Sequence, residues 1–178
     1  MLHRWSCAAP CWLALPVVAT AACGGSSPPG ATSPAPARAC TLMAYTQGAD
    51  IDVLGAGPDP IPWHVEVSAS GETLTVEARA ADGAGATCGA GATGHDLGCL
   101  TRGAQLEVAV TPPLGGMPAR IRVASADGLG GPEELTVHVS HGAQSASRTW
   151  QPQYSTDEPN GPGCGVRTSA TDTLELAR

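Results

Sequence analysis

Strict alternation of apolar and polar residues, repeated in short runs, is the feature that most restricts what this chain can become. Trp63, Val65, Val67 and Ala69 alternate with His64, Glu66 and Ser68. Successive strand side chains point to opposite sides, so one face of this segment is apolar and the other wet. The pattern returns at Leu74, Val76 and Ala78 against Thr75, Glu77 and Arg79, with Ser70-Gly71 between the two runs as a hairpin turn. Three further runs follow, at Leu106, Val108 and Val110, at Ala119, Ile121 and Val123, and at Leu135, Val137 and Val139. Turn clusters such as Pro112-Pro113-Leu114-Gly115-Gly116 separate them. Weaker strands are predicted over 41–46, 49–54, 144–151 and 168–176, and no eleven-residue window carries a helical stripe. Half-buried strands must cover their apolar faces by stacking sheets or closing a barrel. Seven to nine of them over residues 40–178 predict an all-β domain, an antiparallel immunoglobulin-like β-sandwich, with a barrel as the alternative. Trp63 and Trp150 are its largest candidate core residues.

Composition narrows the function classes. The 178 residues make about one domain, and 42% apolar against 14% charged residues is enough to build a core. The nine basic residues are all arginine and the net charge is -7, so no basic patch can neutralise a phosphate backbone. Nucleic acid is excluded as a partner on that ground. The absence of Lys and Phe beside abundant Ala, Gly and Pro reflects base bias in the genome and carries no functional meaning.

The first 39 residues read as an address and a tether. Residues 1–22 carry a single charge at Arg4, an apolar stretch from Trp12 to Val18, and small residues at 19–22. That is the layout of a secretory signal peptide, and the stretch is shorter than the roughly 20 residues a spanning helix needs. Thr20-Ala21-Ala22-Cys23-Gly24 resembles the bacterial lipobox, with Thr20 in place of the usual Leu or Val. The resemblance implies cleavage before Cys23 and acylation of its thiol, which would make the lipid bilayer a partner without any transmembrane helix. Ordinary cleavage after Ala21 is the alternative, giving a secreted domain. Residues 24–39 are Gly, Ser, Pro, Ala and Thr with Arg38 the only charge, a flexible linker spanning about 22 Å root-mean-square. The folded part would stand off the cell-envelope membrane, facing away from the cytoplasm.

Cys40, Cys88, Cys99 and Cys164 remain in the exported domain. An even number in an oxidising compartment predicts two disulfides, with three connectivities. The short, small-residue loop favours Cys88 with Cys99, leaving Cys40 with Cys164 to join the ends of the domain.

The chemistry-bearing motifs are weak. No Gly-x-Ser-x-Gly elbow or phosphate loop occurs, and no CxxC or HxxxH pair accompanies His95 between Cys88 and Cys99. Asp50 and Asp52 would share a strand face and could present two carboxylates to calcium or a substrate, although a solvated strand edge is the simpler reading. His138 and His141, three apart, would point to opposite faces. Glu133-Glu134 and Asp157-Glu158 read as exposed turn charges. No catalytic residue, metal or cofactor is assigned. The competing class is a metal-binding or enzymatic domain assembled from Asp50, Asp52, His64 and His95.

Tyr154 followed by Pro159-Asn160-Gly161-Pro162-Gly163-Cys164-Gly165 and a last strand resembles a pattern in uncharacterised exported lipoproteins of GC-rich bacteria. Those proteins are similar also in opening the domain with a cysteine just after the linker, as at Cys40-Thr41, and in having a central cysteine pair. The resemblance is specific only around 159–165, and here a Gly/Ala-rich insert at 89–93 widens the central pair. It implies a sandwich and an envelope location, and brings no catalytic residues. The expectation is therefore a lipid-anchored envelope protein whose domain binds or serves structurally, with an envelope protein as a further partner.

Overall fold

Ser70 and Gly71 both adopt positive φ, 52° and 77°, in a two-residue turn that joins β2 (Trp63–Ala69) to β3 (Glu72–Ala80). Positive φ at both central positions is the twist that lets a two-residue loop connect right-twisted strands. The structure, a computed structural model, describes residues 47–177 apart from 56, 58–60, 82–84, 96, 97 and 163. All of these fall within one unit of the chain, Ala39–Arg178. The other strands are β1 (Gly48–Leu54), β4 (Ala86–Cys88), β5 (Thr93–His95), β6 (Gly98–Arg102), β7 (Leu106–Thr111), β8 (Ala119–Ser125), β9 (Leu135–His141), β10 (Gln144–Trp150), β11 (Ser155–Asp157) and β12 (Arg167–Glu175). The described residues contain no helix.

Two sheets form a sandwich. One has five strands in the order β10-β9-β2-β3-β4, the other seven in the order β11-β12-β1-β8-β7-β6-β5. All neighbours are antiparallel except β1 and β12, which run parallel from Gly48 opposite Ser169 to Leu54 opposite Glu175. Nine described strands have five residues or more; eight of them fall where strands were expected, β6 does not, and β4, β5 and β11 add three of three residues each. The weak strands expected over 49–54, 144–151 and 168–176 appear as β1, β10 and β12, whereas 41–46 lies outside the described residues.

The alternating apolar positions all turn inward. Trp63, Val65, Val67, Val76, Val137 and Val139 of the smaller sheet meet Ile51, Val53, Leu106, Val108, Val110, Ile121 and Val123 of the larger one, each almost fully buried. Burial of such side chains contributes about 1.5–3 kcal/mol apiece before the entropy of ordering them is subtracted. Trp150 departs from expectation. It sits half-buried on the inner face of β10, an edge strand, where the chain leaves the smaller sheet to cross to β11 of the larger one.

The lateral edges are closed by different chemistry. On one side the Cys88–Cys99 disulfide joins β4 of the smaller sheet to β6 of the larger, with 5.4 Å between Cα atoms. On the other, Ser145 and Ala177 exchange backbone hydrogen bonds of 3.3 Å, so the end of the β12 segment touches the edge of the smaller sheet.

Glu72 adds a third link between the sheets. Its carboxylate accepts the backbone N–H groups of Ala104, Gln105 and Leu106 at 2.8, 2.9 and 3.0 Å, which pins the β6–β7 turn to the start of β3. These donors, that of Gln105 first, hold the Glu72 carboxyl below its ordinary value. A lowered folded-state value contributes stability that is present above the unfolded carboxylate range and is lost as pH falls through the folded value. Glu72→Gln is therefore expected to melt earlier than wild type at pH 7 and to converge with it as pH falls below the folded-state value of Glu72, by thermal denaturation followed across that fall. A constant difference across that range would refute the latch.

Candidate functional site

A cleft of about 480 Å³ opens at the end of the sandwich where β1 finishes and β2 begins. Val53, Trp63, Ala80 and Ala119 line it from the strands, and Pro113, Leu114, Met117 and Pro118 from the β7–β8 connection. That connection is held rigidly. Leu114 and Met117 face each other across a turn in which Gly115 and Gly116 take φ of 59° and 85°, and the Met117 N–H donates to the Leu114 carbonyl at 3.0 Å. The sequence Pro112 to Gly116 marks a turn correctly, but the turn also builds a wall.

The chemistry of the cleft is uniform. Among the described residues that line it, none carries an ionisable side chain, and the indole N–H of Trp63 is the sole side-chain hydrogen-bond donor. The rim is apolar as well, with Met117 60% and Leu54 43% exposed. Below the floor, Trp63 stacks on His141 with ring centroids 4.4 Å apart at 27°. A described lining with no counter-charge suits an uncharged apolar group and penalises a charged one, which would lose its hydration uncompensated.

The acidic pair noted in the sequence is committed elsewhere. Asp50 and Asp52 lie on the outer face of the seven-stranded sheet, in register with Arg122 and Arg120 of β8. The Arg122 guanidinium meets Asp50 through two bonds of 2.7 and 3.0 Å, and Arg120 donates to Asp52 at 2.8 Å. The hydrogen bond to Asp52 pushes Arg120 still further up from its ordinary value. A solvated strand edge is thus not their setting, because β1 lies between β12 and β8 inside the sheet. His64 is on the outer face of the other sheet, with Nδ1 3.8 Å from the Glu77 carboxylate. His95 falls in β5, four strands from β1 at the far edge of the larger sheet. The fold therefore does not bring Asp50, Asp52, His64 and His95 together, and no group of three His, Cys, Asp or Glu residues in metal-binding proximity occurs among the described residues. His138 is exposed and His141 buried, on opposite faces of β9.

Cys164 is disulfide-bonded, while Cys23 and Cys40 lie outside the described residues. Gly161, at φ 87°, turns the chain just before Cys164, and its N–H donates to the Glu158 carbonyl at 2.8 Å. Asp157, expected in a turn, instead belongs to β11 and pairs with Arg167 of β12. What the sequence did not disclose is the cleft itself, whose walls come from segments about 60 residues apart; the one available signal was the string of apolar residues inside a Pro/Gly turn.

Fold and site together define a disulfide-stapled β-sandwich with a cleft at one end whose described lining is apolar and uncharged. Comparison of the chain with protein-family models, curated proteins and solved structures found no match.

Proposed function

We propose that this is an envelope lipoprotein, anchored through acyl chains on Cys23, whose β-sandwich is a non-catalytic binding domain for an uncharged apolar group. The cleft carries the binding part of this reading. The anchor rests on the lipobox-like segment 20–24 and the linker after it, and an inter-sheet disulfide at Cys88–Cys99 suits an oxidising compartment.

The reading is tested in two parts. The non-reduced intact mass from native membranes should begin at Cys23, include acyl groups and lack four hydrogens; an unlipidated mass beginning near Ala22 defeats the anchor, and free thiols defeat the second disulfide. Binding of the uncharged probe N-phenyl-1-naphthylamine should fall about tenfold or more in Met117→Glu, which sets a charge on the cleft rim. Equal binding by the variant and wild type removes the cleft from the account.

A further inference from the structure

Reactive sulfur in this domain is concentrated at one place. The chain has three methionines, Met1, Met43 and Met117, and the first two lie outside the described residues. Cys88, Cys99 and Cys164 are all disulfide-bonded. Met117 is therefore the one reduced sulfur among the described residues. It stands on the rim of the cleft, 60% exposed, where a small oxidant reaches it without any opening of the fold.

Oxidation there would change the side chain and spare the wall that carries it. The Met117 N–H donates to the Leu114 carbonyl at 3.0 Å, and the two residues form a β-bridge across the Gly115-Gly116 turn. Pro118 further confines the Met117 backbone to extended conformations. None of these constraints involves the thioether. A thioether is apolar and polarisable, suited to an irregular wall beside Pro113, Leu114 and Pro118. A sulfoxide in its place carries a strong acceptor oxygen. The described lining offers that oxygen a single side-chain donor, the Trp63 indole, and Trp63 is 1% exposed. An apolar ligand that covers the oxygen strips its water without replacing the hydrogen bonds.

We propose that Met117 is a redox-modification site that regulates the cleft: oxidation of its sulfur by a hydroperoxide closes the cleft to apolar groups. The step balances with that oxidant alone. A sulfur lone pair attacks the hydroxyl oxygen of the peroxide, the S–O bond forms as the O–O bond breaks, and the thioether loses two electrons. The departing hydroxide or alkoxide takes the proton from the transferred oxygen and leaves as water or alcohol. Regulation of this kind rests on the binding reading above.

The test uses the full chain, with N-phenyl-1-naphthylamine as probe and hydrogen peroxide as oxidant, the peroxide being removed before binding is measured. In wild type, peptide mass mapping should find one added oxygen at Met117, and the Kd for the probe should rise about tenfold or more while the thermal midpoint stays unchanged. Reduction of the sulfoxide by the two epimer-specific methionine sulfoxide reductases should restore the original Kd. Met117→Leu should show the same Kd before and after peroxide, whatever its starting value, and Met43→Leu should respond to peroxide as wild type does. The proposal is overturned if wild type oxidised at Met117 keeps its affinity, if Met117 resists the oxidant, if reduction fails to restore binding, or if Met117→Leu also weakens on oxidation. Failure of the binding reading looks different: untreated wild type then does not bind the probe, and both readings fall together.

Discussion

Trp63→Ala is expected to cost about 3–5 kcal/mol, the largest loss from any single substitution in this domain. Trp63 is 1% exposed and is the largest fully buried side chain. It makes contact in two directions, packing against the valine layer of both sheets and stacking on His141. His141 is itself 3% exposed and its Nε2 has no hydrogen-bond partner, so the stack is what accommodates the imidazole in the core. Removing the indole leaves a cavity continuous with the cleft and a polar ring without its neighbour. Against a total stability of about 5–15 kcal/mol, such a loss brings the protein close to unfolding at 37 °C. Urea denaturation followed by far-ultraviolet circular dichroism measures it, with Trp63→Phe expected to lose less because an aromatic ring still fills part of the space. A loss under about 1 kcal/mol would contradict the assigned role, since that is what unremarkable sites show.

Removing the Cys88–Cys99 bridge has the second largest expected effect, about 2–4 kcal/mol in the Cys88→Ala/Cys99→Ala double variant. The bridge closes a sequence separation of 11, for which chain entropy alone accounts for roughly 3 kcal/mol. Alanine is the right replacement at 99, because the site is fully buried and a serine hydroxyl would need a partner there. The consequence should be local as well as global. β4 and β5 are three residues long, so without the covalent link their amides should exchange at rates set by local opening while β2 and β9 stay protected. An unchanged urea midpoint would mean that the β3–β4 and β5–β6 ladders hold this edge unaided.

The legibility of the chain followed side-chain alternation: β6, five residues long but buried at successive positions, was not recognisable. In β2, β3, β7, β8 and β9 the period of two survives for at least five residues, and each was recognisable from side-chain alternation alone. β4, β5 and β11 show no period, because three residues place at most two side chains on a face and the segments are rich in Gly, Ala, Ser and Thr. They exist because neighbouring strands and a disulfide hold them. Trp63 was readable as core from its place in a clean alternation. Trp150, in a segment where glutamine and arginine stand at inward positions, was not readable as an edge residue.

The functional geography was less legible still. Asp50 and Asp52 look like free carboxylates until the register sets Arg122 and Arg120 beside them, 72 and 68 residues along the chain. Glu72 shows no sign in the sequence of receiving three backbone donors from 104–106. The sequence by itself determined that this chain makes strands, which face of each is buried, and where the hairpin between β2 and β3 turns, because those are properties of neighbouring residues and local backbone preference. It also supplied the expectation of an exported, tethered domain. Only the tertiary structure decided the strand order, the parallel pairing of β1 with β12, the apolar cleft and the Arg148–Asp172 pair between β10 and β12. Each of these depends on which distant segments meet, and that is settled by packing two whole sheets together, not by any interaction short enough to leave a local pattern.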